Sequence, residues 1–144
     1  MAGSSQELQA FDNAERQFVQ AFVHPRKRGR YLELLSTKRG RDRFISDLAH
    51  HLELDPASVL TINPSEQTPS LIARRLRSLG AQEQCYLFSE SSSLDRAVLP
   101  LADALEQVVG GQMGTIVYCN RGLAYFEPEG PGGRLILFRQ PRHP

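Results

Sequence analysis

No stretch of this chain approaches the ~20 consecutive apolar residues that a membrane-spanning helix needs, so no membrane partner is expected. The first ten residues lack a basic region followed by an apolar one, and no secretory leader is expected either. Cysteine is scarce. Cys85 and Cys119 are the only two, each lies in an apolar run, and no Cys-x-x-Cys occurs. That spacing excludes the common zinc motifs. Two buried free thiols in a reducing, cytoplasmic setting are the simplest expectation, with a disulfide between neighbouring strands as the alternative. Histidine supplies no metal set: His24 stands alone, and adjacent His50 and His51 cannot both face the core from one helix.

Catalytic and cofactor signatures are missing too. There is no GxSxG elbow, no P-loop and no dinucleotide fingerprint. Gly110-Gly111-Gln112-Met113-Gly114 precedes an apolar run rather than following one, so it reads as a helix stop and a turn. The serine-rich loop Ser89–Ser93 is flanked by Glu90 and Asp95 and reads as a solvated loop with capping capacity. Glu33, Asp42, Asp47, Glu53 and Asp55 are scattered, without nuclease-like spacing. No cofactor, metal or catalytic residue is implied. Lysine is nearly absent: Lys27 and Lys38 stand against fifteen arginines, a bias typical of GC-rich bacterial genomes.

What the chain does have is ordinary globular composition and clear periodicity. At 144 residues it is expected to form a single domain, 1–144. Leu8, Phe11, Phe18, Val19 and Phe22 share one face of a helix over 5–23, ended by His24-Pro25. The Phe-rich stripe reads as core. Tyr31, Leu34 and Leu35 form one apolar face, while Phe44, Ile45, Leu48 and Leu52 form another, rotated by roughly 100°. One straight helix cannot bury both, so the pattern predicts a helix near 27–36, a break at Ser36-Thr37 and a helix near 38–52. Gly40 is a second candidate break. Asp55-Pro56 opens a helical turn through Leu60. Thr68 as N-cap, Pro69 at the first position and Gly80 past the end bound a helix over 68–79.

Beyond Gly80 the pattern becomes strand-like. Cys85–Phe88, Thr115–Cys119, Leu123–Phe126 and Leu135–Phe138 are short apolar runs, with Asn120-Arg121-Gly122 as a tight hairpin turn. A helix bearing Leu101, Ala104, Leu105, Val108 and Val109 separates the first run from the rest. Near-continuous apolar strands imply a sheet covered on both faces. The expected fold class is therefore α+β (α/β-like). N-terminal helices over about 5–80 precede a mixed four-stranded sheet over about 81–140, with one βαβ crossover and a C-terminal antiparallel meander.

Charge gives the one functional lead. Arg26, Lys27, Arg28, Arg30, Lys38, Arg39, Arg41 and Arg43 are eight of the seventeen Lys and Arg residues. Only Glu33 and Asp42 oppose them, leaving +6 on residues 26–43 in a chain of net +1. Such a local field suits an anionic partner, nucleic acid or an acidic protein surface. Tyr31 is the only aromatic in the cluster, so a base-stacking surface is not indicated. A solvated helix face is the plain alternative, since Lys38 and Arg39 also follow a helix C-terminus, where cations are favoured. Arg121 and Arg134 extend the cationic surface only if the fold brings residues 26–43 near them. A protein–protein regulatory or inhibitor-type module would instead show an exposed apolar patch. An enzyme would show a deep pocket of convergent titratable groups.

Overall fold

The computed structural model of the protein describes residues 13–48, 52–129 and 133–139. The start of the first expected helix, with Leu8 and Phe11, lies outside them, as do His50 and His51. Five helices and six strands alternate along the described chain. These are α1 (Ala14–Phe22), α2 (Pro25–Leu34), α3 (Lys38–Asp47), β1 (Val59–Thr61), α4 (Pro69–Ser78), β2 (Gln84–Ser89), β3 (Val98–Pro100), α5 (Leu101–Val108), β4 (Thr115–Asn120), β5 (Leu123–Glu127) and β6 (Leu135–Phe138).

The sheet corrects the sequence expectation. It has six strands rather than four, in the order β1-β6-β5-β4-β2-β3, and every neighbouring pair is antiparallel. The mixed sheet with a parallel βαβ pair is not formed. Helix α5 does not leave β2 directly, because the chain first doubles back as β3 along the free edge of β2. β3 and β4 therefore run the same way, with β2 between them. The two unforeseen strands, β1 and β3, are three residues each, too short to show a period. The helical turn expected through Leu60 ends at Ser58, and Val59 and Leu60 open β1 instead.

Both faces of the sheet are covered, as the apolar runs require. Cys85, Leu87, Val117, Cys119, Leu123, Tyr125 and Ile136 point to one face and pack under α4 and α5. Phe88, Ile116, Tyr118, Ala124, Phe126 and Leu137 point to the other and pack under α1, α2 and α3. The strict alternation along each strand follows from the pleat. Helix α4 thus sits opposite the other N-terminal helices rather than beside them. Phe18, Phe22, Phe44 and Phe88 are wholly buried. Phe18 meets Phe88 edge-on at 5.1 Å and Tyr31 meets Phe44 at 5.5 Å, so the Phe stripe is core. Cys85 and Cys119 are free and fully buried. The neighbouring Cys85 thiol, together with burial, pushes the Cys119 thiol up. Among the described residues no helix is long and apolar enough to cross a membrane.

The joint between α2 and α3 falls where the two apolar faces demand it. Leu35, Ser36 and Thr37 separate the helices, and Thr37 Oγ1 caps α3 by accepting from Gly40 N at 3.0 Å. Gly40 is not a break. It lies inside α3, where a Cβ would sit 2.1 Å from the Leu34 carbonyl oxygen. Only glycine lets the start of α3 press against the end of α2.

All four tyrosine hydroxyls are bonded, and those of Tyr86 and Tyr118 tie the sheet to α1. Tyr31 donates to Asp47, Tyr86 to Glu15, Tyr118 to Gln17 and Tyr125 to Glu127. Burial, reinforced by Asp47, pushes Tyr31 up to about 12, and burial also raises Tyr118 to about 12. Tyr86 and Tyr125 are raised by burial and by their carboxylate partners.

Two predictions follow from this packing. Replacing Gly40 with Ala should cost about 2 kcal/mol or more, because the obstacle is backbone. Replacing Gly29, whose Cβ would meet nothing within 4 Å, should stabilise by about 0.4–1 kcal/mol. Urea midpoints of the two variants check both signs. The tyrosines set the alkaline limit. A phenol raised in the folded state keeps its proton while the unfolded chain loses it near pH ~10, so stability falls as pH rises from about 10 towards 12. Phenolate absorbance should lag in the native protein and appear with unfolding; a normal titration near pH ~10 with the fold intact would contradict this.

Candidate functional site

The eight basic residues of 26–43 divide into two groups once α2 and α3 are in place. Tyr31 faces inward on α2, and Gly40, Arg41, Phe44 and Ile45 face inward on α3. The outward faces carry Arg26, Arg30 and Glu33 on α2, and Lys38, Arg39, Asp42 and Arg43 on α3, all exposed. Lys27 is half-buried beside them. Since both helices lie on one face of the sheet, these side chains share one outer surface. Arg26, Lys27, Arg30, Lys38, Arg39 and Arg43 form no ion pair and no side-chain hydrogen bond among the described residues.

Arg41 belongs elsewhere. Its side chain is nearly inaccessible, at 9% exposure, and each of its three nitrogens is bonded. Nε and Nη2 donate to the Glu15 carboxylate at 2.8 and 2.7 Å, and Nη1 and Nη2 donate to the Asp95 carboxylate at 2.8 and 2.9 Å. Glu15 also accepts from Tyr86 OH at 2.7 Å, and Asp95 from Ser89 N at 3.1 Å. Burial works against the Arg41 charge, but the hydrogen bonds and charges of Asp95 and Glu15 outweigh it and hold its pKa up. Arg28 is half withdrawn as well, donating to Val23 O at 2.9 Å and to Asp55 at 3.4 Å.

The outer cations sit where a helix does not favour them. Arg26 and Lys27 lie in the first turn of α2, and Lys38 and Arg39 in that of α3; neither turn has an acidic residue. Each such cation costs a few tenths of a kcal/mol against the helix dipole. The end of α2 does not recruit Lys38 and Arg39 as compensation. Its carbonyls are bonded locally: Tyr31 O by Leu35 N, Glu33 O by Ser36 N and Oγ, and Leu34 O by Thr37 N.

The remaining candidates resolve into structural roles. Arg134 donates to Glu127 and to Gln67, away from residues 26–43. Ser89 Oγ pairs with Thr115 Oγ1 at 2.6 Å, and Ser91 with Ser93, so the serine loop is bonded to itself and to β4. Arg121, expected to extend the cationic surface only if residues 26–43 came near it, stands in the turn between β4 and β5. It lines a shallow groove with Gln17, Gln20, Ala21 and Arg139. Arg139 lies 3.9 Å from Asp55, the carboxylate that also holds Arg28. Arg74 borders two open depressions on the outer side of α4. No group of His, Cys, Asp and Glu among the described residues could hold a metal ion. Comparison with protein-family models, with curated proteins and with solved structures finds no match for this chain.

Arg41 could have been separated from its neighbours by phase alone. Positions 41, 44, 45 and 48 are one helical stripe, so the arginine falls on the apolar face. Replacing Arg41 with Met should destabilise the protein by about 3 kcal/mol, because two half-buried carboxylates lose their counter-charge. Replacing Arg39 with Ser should change stability by less than about 0.5 kcal/mol. Denaturant titration of the two variants distinguishes the roles; equal losses would show that Arg41 is an ordinary surface charge.

Proposed function

We propose that this chain is a non-enzymatic binding domain whose α2–α3 outer face engages the phosphate backbone of a nucleic acid without reading base sequence. The observation that carries this reading is the division of the cations. Those that hold the fold together are bonded to carboxylates or carbonyls, whereas the six of the outer face are unpaired among the described residues and four of them oppose a helix dipole. A face kept cationic at local cost, with only Glu33 and Asp42 interspersed, suits a polyanion.

The surface chemistry favours a backbone over a protein. Protein interfaces are built around an apolar core. Among the described residues Met113 is the only large apolar side chain that is exposed, and it lies far along the chain from α2 and α3. Tyr31 is buried in the core and cannot stack on a base. Phosphate contacts need neither feature.

The test leaves Arg41 in place, since a variant lacking it would confuse binding with folding. Arg30, Arg39 and Arg43 are replaced together by Ser, and binding to random-sequence duplex and single strand is measured across salt concentrations. The wild-type protein should bind at about 50 mM salt, with affinity falling steeply as salt rises, by about 0.9 log units per log salt for each phosphate contacted. The triple variant should keep its stability, bind at least about tenfold more weakly and show a shallower salt slope. Undetectable wild-type binding at low salt, or an unchanged triple variant, overturns the reading. Tight binding to an acidic protein instead would transfer the face to that partner.

A further inference from the structure

We propose that the groove between α1 and the β4–β5 hairpin is a second anion site, built to hold one phosphate group. It is distinct from the α2–α3 outer face and does not depend on it. The groove encloses about 190 Å³ and is lined by Gln17, Gln20, Ala21, Arg121 and Arg139. Two of the five are cations, two are amides and none is a carboxylate. Among the described residues the one carboxylate within ion-pair distance of either arginine is Asp55, 3.9 Å from Arg139 and already engaged with Arg28.

The donors are positioned by the fold rather than by chance. Gly122, at φ +101°, lets the hairpin turn approach so closely that a Cβ there would lie 2.8 Å from the Arg139 carbonyl oxygen. Arg139 N donates to Gly122 O at 2.8 Å, so the backbones bearing the two arginines are locked together. Arg139 Nη1 is anchored on the Ala21 carbonyl at 2.9 Å, near the end of α1, where a cation is favoured. Gln17 Oε1 accepts from Tyr118 OH, which commits the amide oxygen and leaves its two N–H donors without a partner among the described residues. Gln20 and Arg121 have no side-chain partner at all among the described residues. Arg121 is nevertheless close enough for its charge to oppose the burial that raises Tyr118. The Arg121 guanidinium and the Gln17 and Gln20 amides line this one groove without an acceptor among the described residues, beside an Arg139 held in place by Ala21, and such donors match the oxygens of a phosphate group.

Arg121 is the residue to change, because it is exposed and supports nothing, whereas Arg139 holds α1. Backbone amide shifts of Gln17, Gln20, Asn120 and Gly122 are followed by NMR in the full chain. The probes are inorganic phosphate and a short oligothymidylate, each added at matched ionic strength. Saturable shifts at these amides are expected with at least one probe, and Arg121→Gln should weaken that binding about tenfold. Saturation by inorganic phosphate assigns the site to a free phosphate or its ester; saturation by the oligonucleotide alone assigns it to a strand phosphodiester. No saturable shift with either probe, or equal affinity in Arg121→Gln, overturns the proposal. The Arg30, Arg39 and Arg43 triple variant retains the groove intact, so groove shifts that persist in it separate the two sites whatever becomes of the α2–α3 face.

Discussion

A single buried guanidinium organises one half of this molecule. Arg41 joins α3 to α1 through Glu15 and to the β2–β3 connection through Asp95, and Tyr86 of β2 closes the cluster on Glu15. Three charges have been withdrawn from water, a large penalty that only near-complete hydrogen bonding offsets. The compensation is in place: both carboxylates are held in fork-like geometry, and Asp95 receives Ser89 N besides. An arrangement of this kind is unforgiving, since shifting any one element leaves an uncompensated charge. It therefore fixes how the helical layer sits on the sheet, alongside the surrounding Phe contacts.

That constraint governs how the basic segment is understood. Taken as a string, residues 26–43 are one cationic tract. Taken as two packed helices, they are a structural arginine at the core side and a row of unpaired cations at the solvent side. Gly40 enforces the separation. By letting α3 start hard against Leu34 O, it turns Arg41 inward in the same helical turn that turns Lys38 and Arg39 outward. Unpaired surface cations alone would be unexceptional. Their placement in two first turns without a carboxylate is what sets this face apart from an ordinary solvated one.

Much of the fold was legible in the residues. The mismatch of apolar faces located the α2–α3 joint, and Thr68, Pro69 and Gly80 bound α4 as capping chemistry requires. The unbroken apolar strands foretold a sheet covered on both sides. The sheet's composition was not legible. β1 and β3 are three residues each, stabilised by pairing with β6 and β2 rather than by any period of their own. Without β3 in view, the connection through α5 looked like a parallel crossover. The groove at Arg121 was hidden for a similar reason: hairpin, strand end and helix come together there from three separate parts of the chain.

The sequence by itself missed the end of α3, expected near residue 52 and found at Asp47, but determined where the α2–α3 joint and the two ends of α4 fall, which residues are apolar on which face, and how much charge residues 26–43 carry. These depend on neighbours within a turn or two, and such neighbours are adjacent in the chain. Only the tertiary structure decided which of those cations are spent inside the molecule and which remain outside. The partners of Arg41 lie 26 and 54 positions away, and no local pattern specifies them. Chain connectivity sets the charge; packing sets its address.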